Sequence, residues 1–537
     1  MSTNSKTKQT LKPILRTAYL LFTLLLLAGA LFYQPVEYDN TCSRFFLVHA
    51  IVARGTFNID PYHESTIDKS LYAGHYYSNK AIGLSLLAAP VYWGLHQFPL
   101  VQVGGPLYPP AIYIVKLITT TLPFAFLGAL MFYMACSWGA DPRKAFLMVL
   151  AYGLGSIAWI HATMFSGHQL TGCLLFFSFA LASILKSDSP ALKMVLYSIA
   201  AGFLAGYAVL TDYMAVVGVG LIAIYMLTRP VSWTLKSGFI FGGLICVAIL
   251  AWYNVICFGS PFSLSYQHLT FDKFKDGVDA GFLGVGIPRL GVLAATLASP
   301  ARGLFFISPV LLLSLYGFVE VFRDGRRKPE TVLMAAIFVG YLLFNAGWFG
   351  WHGGWTFGPR YLVPMLPFLA FPMAFGSWKT RIYVPLFIVS VFQVGAGVTG
   401  MPHVPEQILN PLPEFIFPCM GYSYTAGNPA QALGVSPMVS IWMCLVILGL
   451  LGYLVFRALP EHTIAEATVV KRLGIDSIGL YLWLVVVLVA LAWTKTPDTR
   501  MVHYCRWRVL KDASMTTGHE DLREPTVREG IAAGVYK

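Results

Sequence analysis

Acidic and basic side chains are concentrated in a polar stretch that follows the first long apolar run of this 537-residue chain. Asp39 comes a few residues after that run, and Lys80 comes near the end of the stretch. A carboxylate here can accept a proton from an incoming hydroxyl or amine, as a general base does. A lysine can hold a phosphate as a point charge. The alternatives are a helix N-cap or solvated acid for Asp39, and a lysine snorkelling to the membrane interface for Lys80.

Two arginines lie at the predicted outer ends of later apolar segments, against the usual bias of basic residues toward the cytoplasm. They are Arg302 in SPARGLFFISP and Arg360 in GWTFGPRYLVP. A planar guanidinium group suits phosphate oxygens, so both are candidates to bind a phosphate. Contact with lipid headgroups is the alternative for each arginine.

Aromatic and histidine side chains accompany these charges. Trp and Tyr can form the walls of a sugar site, although they also form the aromatic belts at membrane interfaces. A histidine at the outer end of a span has either a structural or a catalytic role. The candidates to bind sugar or acceptor are Tyr77, His168, Trp351, His352 and Tyr361. The eight cysteines show no zinc-site spacing, so we predict no metal ligands and no cofactor. Nothing in the sequence supports a divalent metal.

The composition indicates which kind of protein must position these residues. The chain is 57% hydrophobic and only 12% charged, whereas soluble domains carry roughly 25% charged residues. Apolar runs of membrane-spanning length recur, and the alternation of a β-barrel is absent. We therefore predict an all-α polytopic membrane protein. Its net charge of +12 comes from basic residues clustered in short loops between spans. The positive-inside rule accounts for this distribution, so we predict no nucleic-acid partner.

The distribution of basic residues also predicts the topology. Basic residues precede the first span, Ile14–Tyr33, so the following loop lies outside. The segment Ala81–Gln97 is short and contains Pro90. If it crossed, Arg143 and Lys144 would fall on the wrong side, so we interpret it as interfacial or re-entrant. This gives about 13 transmembrane helices.

Within the first outer loop, apolar residues at helical spacing predict a helix over Thr41–Gly55. Phe45 and Val48 fall opposite Arg44, so we expect this helix to lie along the membrane surface. Together with the interfacial segment, it gives the first outer loop juxtamembrane helices.

The predicted domain organisation is a transmembrane domain over residues 1–494 and a C-terminal tail over residues 495–537. Three long loops, 34–81, 259–301 and 401–434, are predicted on the outer face, while the inner loops are short and basic. This asymmetry favours a site at the outer membrane boundary. Docking of a partner on the outer loops is the alternative.

Four segments, in this order, resemble a known family: EYDNTCSRF, GHYYSNKAIGLSLLAAPVY, ASPARGLFFISPVLLL and WFGWHGGWTFGPRYLVPMLP. They are similar to the GT-C class of integral-membrane glycosyltransferases, above all to the branch of protein O-mannosyltransferases and bacterial aminoarabinose transferases. The resemblance implies a GT-C-like fold and inverting transfer of a sugar from a polyprenyl-phosphate carrier to an acceptor on the outer face.

The resemblance also implies roles for individual residues. Asp39 matches the catalytic acid, Lys80 and Arg360 match positions that meet the donor phosphate, and Arg302 matches less securely. Asn40 replaces the second acid of the family's usual pair. The resemblance therefore does not imply a mechanism with paired carboxylates or a metal ion for this chain.

The expected partners are a polyprenyl-phosphate-linked sugar donor, membrane lipids, and an acceptor that is a lipid, a glycan or a protein. The expected location is the inner membrane of a bacterium, with the site facing the periplasm. Two other functions stay open, a transporter or flippase of lipid-linked glycans and a non-catalytic assembly protein. A transporter predicts ionisable residues deep within spans; Asp212, at a predicted boundary, is the nearest example.

Overall fold

A computed structural model describes residues 3–34, 38–186, 191–460, 477–492, 499–517 and 523–535. Helices dominate it, which confirms the predicted all-α polytopic class. Within these residues, eight helices are long and apolar enough to cross a membrane. They are Lys12–Ala30, Pro109–Ser137, Gly167–Ile184, Leu192–Thr211, Trp233–Phe258, Lys328–Gly347, Thr380–Thr399 and Pro437–Arg457.

The α-helices of the first half of the chain are α1 Thr3–Ala30, α2 Asp39–Arg54, α3 Gly83–His96, α4 Pro99–Gly104, α5 Pro109–Lys116, α6 Leu122–Ser137, α7 Pro142–Gly153, α8 Ala158–Ala162, α9 Gly167–Ile184, α10 Leu192–Thr211, α11 Val216–Thr228 and α12 Trp233–Phe258. A π-helical turn, Leu117–Thr121, joins α5 to α6 in one continuous helix.

The α-helices of the second half are α13 Asp272–Asp279, α14 Leu290–Ala298, α15 Leu304–Ile307, α16 Ser314–Asp324, α17 Lys328–Gly347, α18 Leu366–Ala370, α19 Thr380–Thr399, α20 Phe417–Gly421, α21 Pro429–Ala432, α22 Pro437–Arg457, α23 Ser477–Ala492, α24 Thr499–Thr517 and α25 Arg523–Ala532. The two strands are β1 Lys69–Tyr72 and β2 His75–Ser78.

The remaining five of the 13 predicted spans are shorter or broken helices. The predicted span Arg302–Phe322 divides into α15, a 3₁₀ turn over Pro309–Leu313, and α16. Proline cannot supply the backbone N–H that a continuous helix needs, so the helix breaks at Pro309. The same chemistry explains the 3₁₀ turns on both sides of α18, which contain Pro364 and Pro372.

The first outer loop contains two helices, as expected, but their surroundings differ from the prediction. α2 begins at Asp39, and its residues from Thr41 to Ala50 are all buried. The sequence predicts an exposed polar face on this helix, whereas the structure buries this stretch within protein. α3 has 14 residues and is about 21 Å long at 1.5 Å per residue, too short to cross about 30 Å of hydrocarbon.

A β-hairpin in the same loop was not predicted. Strands β1 and β2 pair antiparallel, with Lys69 opposite Ser78 and Tyr72 opposite His75. Ala73 and Gly74 form the turn with positive φ angles of 49° and 85°, a two-residue connection that suits the strand twist. The pairing brings the residues just outside the hairpin, before β1 and after β2, next to each other.

The three long loops contact one another at one end of the helical bundle. Backbone hydrogen bonds join Tyr33 at the start of the first loop to Gly427 in the third. The Ser70 hydroxyl donates to the carbonyl of Ser265 in the second loop, at 2.7 Å. The Lys273 ammonium of the second loop lies 2.7 Å from Glu406 of the third. The loops thus enclose a shared space.

The C-terminal tail packs on this same end. In α24, the Arg506 guanidinium donates to the carbonyl of Glu414 in the third loop. Glu529 of α25 is buried and accepts from the Tyr422 hydroxyl at 2.8 Å, from Arg506 at 3.1 Å and from His503 at 2.6 Å. The tail is therefore fixed to the long loops rather than to the opposite end of the bundle.

Candidate functional site

A cavity of about 690 Å³ lies where the three long loops meet. In the part of the chain that the structure describes, five cationic side chains and three carboxylates line it, so the wall favours an anionic ligand. The lining residues that the sequence had singled out are Asp39, Lys80, His168, His352, Arg360 and Tyr361.

Asp39 is the first residue of α2, where the helix N-terminus favours a negative charge. Its Oδ1 accepts a hydrogen bond from the backbone N–H of Ile67 at 2.8 Å. Burial raises the pKa of the Asp39 carboxyl, and the negative charge of Asp68 adds to this, while the bond from Ile67 opposes it. A carboxylate with a raised pKa is a better proton acceptor than a solvated one.

Lys80 lies directly beside a second carboxylate. Its ammonium nitrogen is 2.9 Å from Oδ1 of Asp68. The hairpin creates this pair, since Asp68 precedes β1 and Lys80 follows β2 by two residues. The Ser43 hydroxyl of α2 donates to the carbonyl of Asp68 and lies 2.7 Å from the Ser78 hydroxyl, which fixes the hairpin on α2. The Lys80 charge is thus partly compensated in the empty cavity.

Arg360 has an unused hydrogen-bond donor. Its Nη2 donates to the Tyr361 hydroxyl at 3.3 Å, and its guanidinium lies over the Tyr361 ring at 5.1 Å. Its buried Nε makes no hydrogen bond within the described residues. Arg360 lines the cavity, and a ligand oxygen there can accept a charge-assisted hydrogen bond from the guanidinium.

Arg44 is a site residue that the sequence analysis missed. It is 5% exposed and lines the cavity. Its Nε donates to Asn40 Oδ1 at 3.2 Å and its Nη1 to the carbonyl of Ala81 at 2.9 Å. We had placed it on the polar face of a surface helix, which is wrong. Its spacing of four residues from Asn40 is the signal that places these two side chains on one helix face.

His168 forms a close pair with Asp212, which follows α10. Nδ1 of His168 is 2.5 Å from Oδ2 of Asp212, and both side chains are mostly buried. The other oxygen of Asp212 accepts from the backbone N–H of Met214 at 3.1 Å. The Asp212 carboxylate is therefore held by the Met214 N–H on one side and contacts the imidazole on the other.

Arg302 lies outside the main cavity and binds backbone carbonyls. Its guanidinium donates to the carbonyls of Ala301, His352 and Gly354 at 2.9, 2.8 and 3.1 Å. Burial lowers the pKa of Arg302 to about 10, and the charge of Arg360 contributes to this. In this geometry, Arg302 fixes the loop that carries His352 and Trp355 in place.

His352 belongs to an ionic chain that links the second and third loops. Its Nδ1 lies 3.1 Å from Oε2 of Glu406, whose Oε1 contacts Lys273 at 2.7 Å. Although burial opposes it, the Lys273 hydrogen bond and the His352 charge lower the pKa of Glu406. Burial lowers the pKa of His352, while the Glu406 charge opposes this.

A second cavity of about 1060 Å³ adjoins the first and shares His352 and Glu406 with it. Its walls are mostly apolar and include Val485 and Val489 of α23. Trp351 and Arg302 line this second cavity rather than the first one. A polar cavity and an apolar one therefore meet at the His352–Glu406 contact.

Tyr77 does not line either cavity. It lies in β2, and its ring packs at 5.4 Å from that of Phe258. Instead, Tyr38 provides an aromatic wall, with its ring tilted against that of His403 and the centroids 4.2 Å apart. Arg508 of α24 lies over Trp355 at 5.2 Å, so the tail also contributes to the first cavity.

The described residues contain no group of three or more His, Cys, Asp or Glu side chains placed to hold a metal ion.

No protein-family model matches the chain, and no curated protein sequence matches it. Among solved structures, the chain is similar to ArnT from Cupriavidus metallidurans in the apo state, with 14% identity, a TM-score of 0.46, and coverage of 90% of this chain and 77% of the other. It is also similar to the same protein bound to undecaprenyl phosphate, with 13% identity, a TM-score of 0.44, and coverage of 88% and 76%. ArnT is an aminoarabinose transferase of the GT-C class, the class that the sequence motifs resemble.

Proposed function

We propose that this protein is a glycosyltransferase that moves a sugar from a polyprenyl-phosphate donor to an acceptor at the outer face of a bacterial inner membrane. The observation that supports this most is the single cavity lined by Asp39, Lys80 and Arg360. Such a cavity combines a carboxylate that accepts a proton with cations that bind a phosphate.

In this proposal, the donor phosphate lies against Arg360 and Lys80. Arg360 lines the cavity, and its guanidinium, which donates to Tyr361 through Nη2, has further N–H groups for the phosphate. Lys80 turns from Asp68 toward the phosphate, or shares its charge between the two. Negative charge develops on the phosphate as the sugar leaves. The positive charges beside it therefore stabilise the transition state.

Asp39 accepts the proton of the acceptor hydroxyl or amine. The hydrogen bond from Ile67 fixes Oδ1, and the carboxylate has further lone pairs for the acceptor's proton. The acceptor then attacks the anomeric carbon on the side opposite the phosphate, which inverts the configuration. With Asn40 as its neighbour in place of an acid, Asp39 acts as a single base.

The apolar second cavity suits the polyprenyl chain of the donor. Its shared border with the first cavity at His352 and Glu406 lets a phosphate in one cavity continue into a hydrocarbon chain in the other. Burial of each CH₂ group contributes about 0.8 kcal/mol, so a long chain supplies much of the binding free energy.

The test uses the full-length protein in lipid nanodiscs with undecaprenyl phosphate that carries a radiolabelled hexose, pentose or amino sugar. We expect release of undecaprenyl phosphate and label in an acceptor fraction. We expect Asp39→Asn to lower turnover by roughly 10²- to 10⁴-fold with binding retained. Asp60→Asn is the matched control, because Asp60 is an acid of the same loop that contacts His75 outside the cavity.

A transporter gives a different result. It moves the labelled lipid between the leaflets of a liposome without cleaving the sugar–phosphate bond, and Asp39→Asn leaves that movement unchanged. Binding without cleavage by the unaltered protein, for all three sugars, would contradict the glycosyltransferase proposal.

A further inference from the structure

The contact between His168 and Asp212 determines which imidazole nitrogen faces the carboxylate. Oδ1 of Asp212 accepts from Met214 N–H and Oδ2 lies 2.5 Å from Nδ1 of His168. An ionised carboxylate has no proton to give, so the hydrogen at this contact belongs to Nδ1. Nε2 is then the nitrogen that gains or loses a proton.

Nε2 of His168 is available to a ligand. It makes no hydrogen bond within the residues that the structure describes, and the His168 side chain is 14% exposed. Since His168 itself lines the main cavity, Nε2 is accessible from that cavity.

The pair lies next to the arginine that we assign to the phosphate. The rings of His168 and Tyr361 meet edge to face with centroids 5.5 Å apart, and the Arg360 guanidinium lies over the same Tyr361 ring at 5.1 Å. A phosphate held by Arg360 therefore lies close to His168. The other titratable or charged groups that face His168 are Arg44 from α2 and His161 from α8.

We propose that His168, oriented by Asp212, donates a proton to the phosphate that leaves the sugar. The proposal rests on the proposed glycosyltransferase function and adds a second proton-transfer group to it. His168 is then a catalytic residue, because it contacts the leaving group, and Asp212 is a positioning residue.

The proton and electron balance of the step is complete. The acceptor oxygen or nitrogen forms a bond to the anomeric carbon, and its proton goes to Asp39. The bond between the anomeric carbon and the phosphate oxygen breaks, and its electron pair stays on that oxygen. The oxygen takes the Nε2 proton of His168. Proton exchange with water returns Asp39 to its carboxylate form and His168 to its protonated form.

Charge explains when His168 carries this proton. Arg360 and Arg44 act electrostatically on His168, and Asp212 is in direct contact with it. A bound phosphate adds negative charge beside the arginines, which favours an imidazolium ion. Phosphate binding and proton uptake are therefore linked.

Calorimetric titration tests this linkage. Undecaprenyl phosphate is titrated into the protein in nanodiscs, in buffers of different ionisation enthalpy, which gives the number of protons taken up. We expect an uptake by the unaltered protein of up to about one proton per phosphate. We expect His168→Gln to take up no extra proton and Asp212→Asn to take up fewer than the unaltered protein. Asp212→Glu should take up more than Asp212→Asn. The protons that the phosphate itself gains or releases cancel between variants.

His75→Gln is the matched control, because His75 also contacts an aspartate, Asp60, at 2.8 Å but is exposed and outside the cavity. It should take up as many protons as the unaltered protein. In turnover, His168→Gln should lower kcat with little change in KM. A donor with a more acidic leaving group should reduce the loss, since it departs without a proton.

The outcomes separate this inference from the proposed function. Binding and sugar transfer with the same proton uptake in His168→Gln as in the unaltered protein would overturn the role of His168 alone. A loss of kcat in His168→Gln that is identical for all leaving groups would also overturn it. Failure of the unaltered protein to bind undecaprenyl phosphate would overturn both proposals.

Discussion

The ammonium nitrogen of Lys80 lies 2.9 Å from Oδ1 of Asp68, and both side chains are largely shielded from water. This contact compensates the charge of the lysine that the sequence motif assigns to the donor phosphate. The hairpin register, with Lys69 opposite Ser78, brings the two residues together. Under the proposed function, the donor phosphate therefore competes with Asp68 for Lys80.

Removing the charge of Asp68 should strengthen phosphate binding. In Asp68→Asn, Lys80 keeps its place but no longer shares its charge with a carboxylate. We expect the Kd for undecaprenyl phosphate to fall by on the order of tenfold, equal to about 1.4 kcal/mol. Calorimetric titration measures this change. Asp60→Asn should leave the Kd unchanged, and an increased Kd in Asp68→Asn would contradict this role of the pair.

The same substitution should change the pH dependence of turnover. Burial and the charge of Asp68 raise the pKa of Asp39, and the base acts only when it is deprotonated. Activity is therefore present above this raised pKa and is lost as the pH falls through it. In Asp68→Asn the pKa of Asp39 falls, so the acidic limb of the kcat/KM profile should move to lower pH. An unchanged acidic limb would argue against Asp39 as the base.

Close packing of α3 on α10 should be sensitive to a single methyl group. A Cβ on Gly83 would lie 2.6 Å from the backbone carbon of Leu210, whereas a Cβ on Gly94 in the same helix meets nothing within 4 Å. We expect Gly83→Ala to destabilise the protein by about 1–3 kcal/mol, and Gly94→Ala to be neutral or stabilising. Thermal unfolding in detergent measures both. Equal melting temperatures would show that α3 is free to move away from α10.

The tail should depend on Glu529. Its buried carboxylate accepts from Tyr422, Arg506 and His503, so Glu529→Gln weakens the attachment of α24 and α25. Breaking a buried ion pair costs about 3–5 kcal/mol. We expect faster proteolysis within the tail and weaker sugar transfer, since α24 carries Arg508 to the cavity.

Glu524→Gln is the control for that experiment. Glu524 is in the same helix and pairs with Arg528, but both side chains are highly exposed. Exposed pairs contribute little to stability. Proteolysis at the same rate in both variants would contradict the role of Glu529.

Features that depend on neighbouring residues in the sequence, such as apolar runs and helical spacing, were predicted correctly. Apolar runs of membrane length gave the polytopic class, and eight of the predicted spans correspond to long helices. The spacing that predicted a helix over Thr41–Gly55 matches α2 closely. The motifs around Asp39, Lys80 and Arg360 selected three residues that line one cavity.

Long-range contacts account for what the sequence did not reveal. Asp212 and His168 are 44 residues apart in the chain (212 − 168). They meet only because α9 packs on α10. Arg44 looks like a surface residue by periodicity because one of its two partners, the Ala81 carbonyl, is a backbone atom of a distant segment. Arg302 looks like a phosphate ligand, yet backbone carbonyls of another loop occupy its donors.

The most direct test is the affinity of the full-length protein for undecaprenyl phosphate in Arg360→Ala compared with Arg54→Ala. Arg54 is an exposed arginine of α2 that contacts Asn58 and is absent from the cavity wall. Because Arg360→Ala removes charge-assisted hydrogen bonds, this variant should bind undecaprenyl phosphate roughly 10- to 100-fold more weakly. The affinity of Arg54→Ala should not change. Binding by Arg360→Ala that equals that of the unaltered protein would contradict a phosphate site in this cavity.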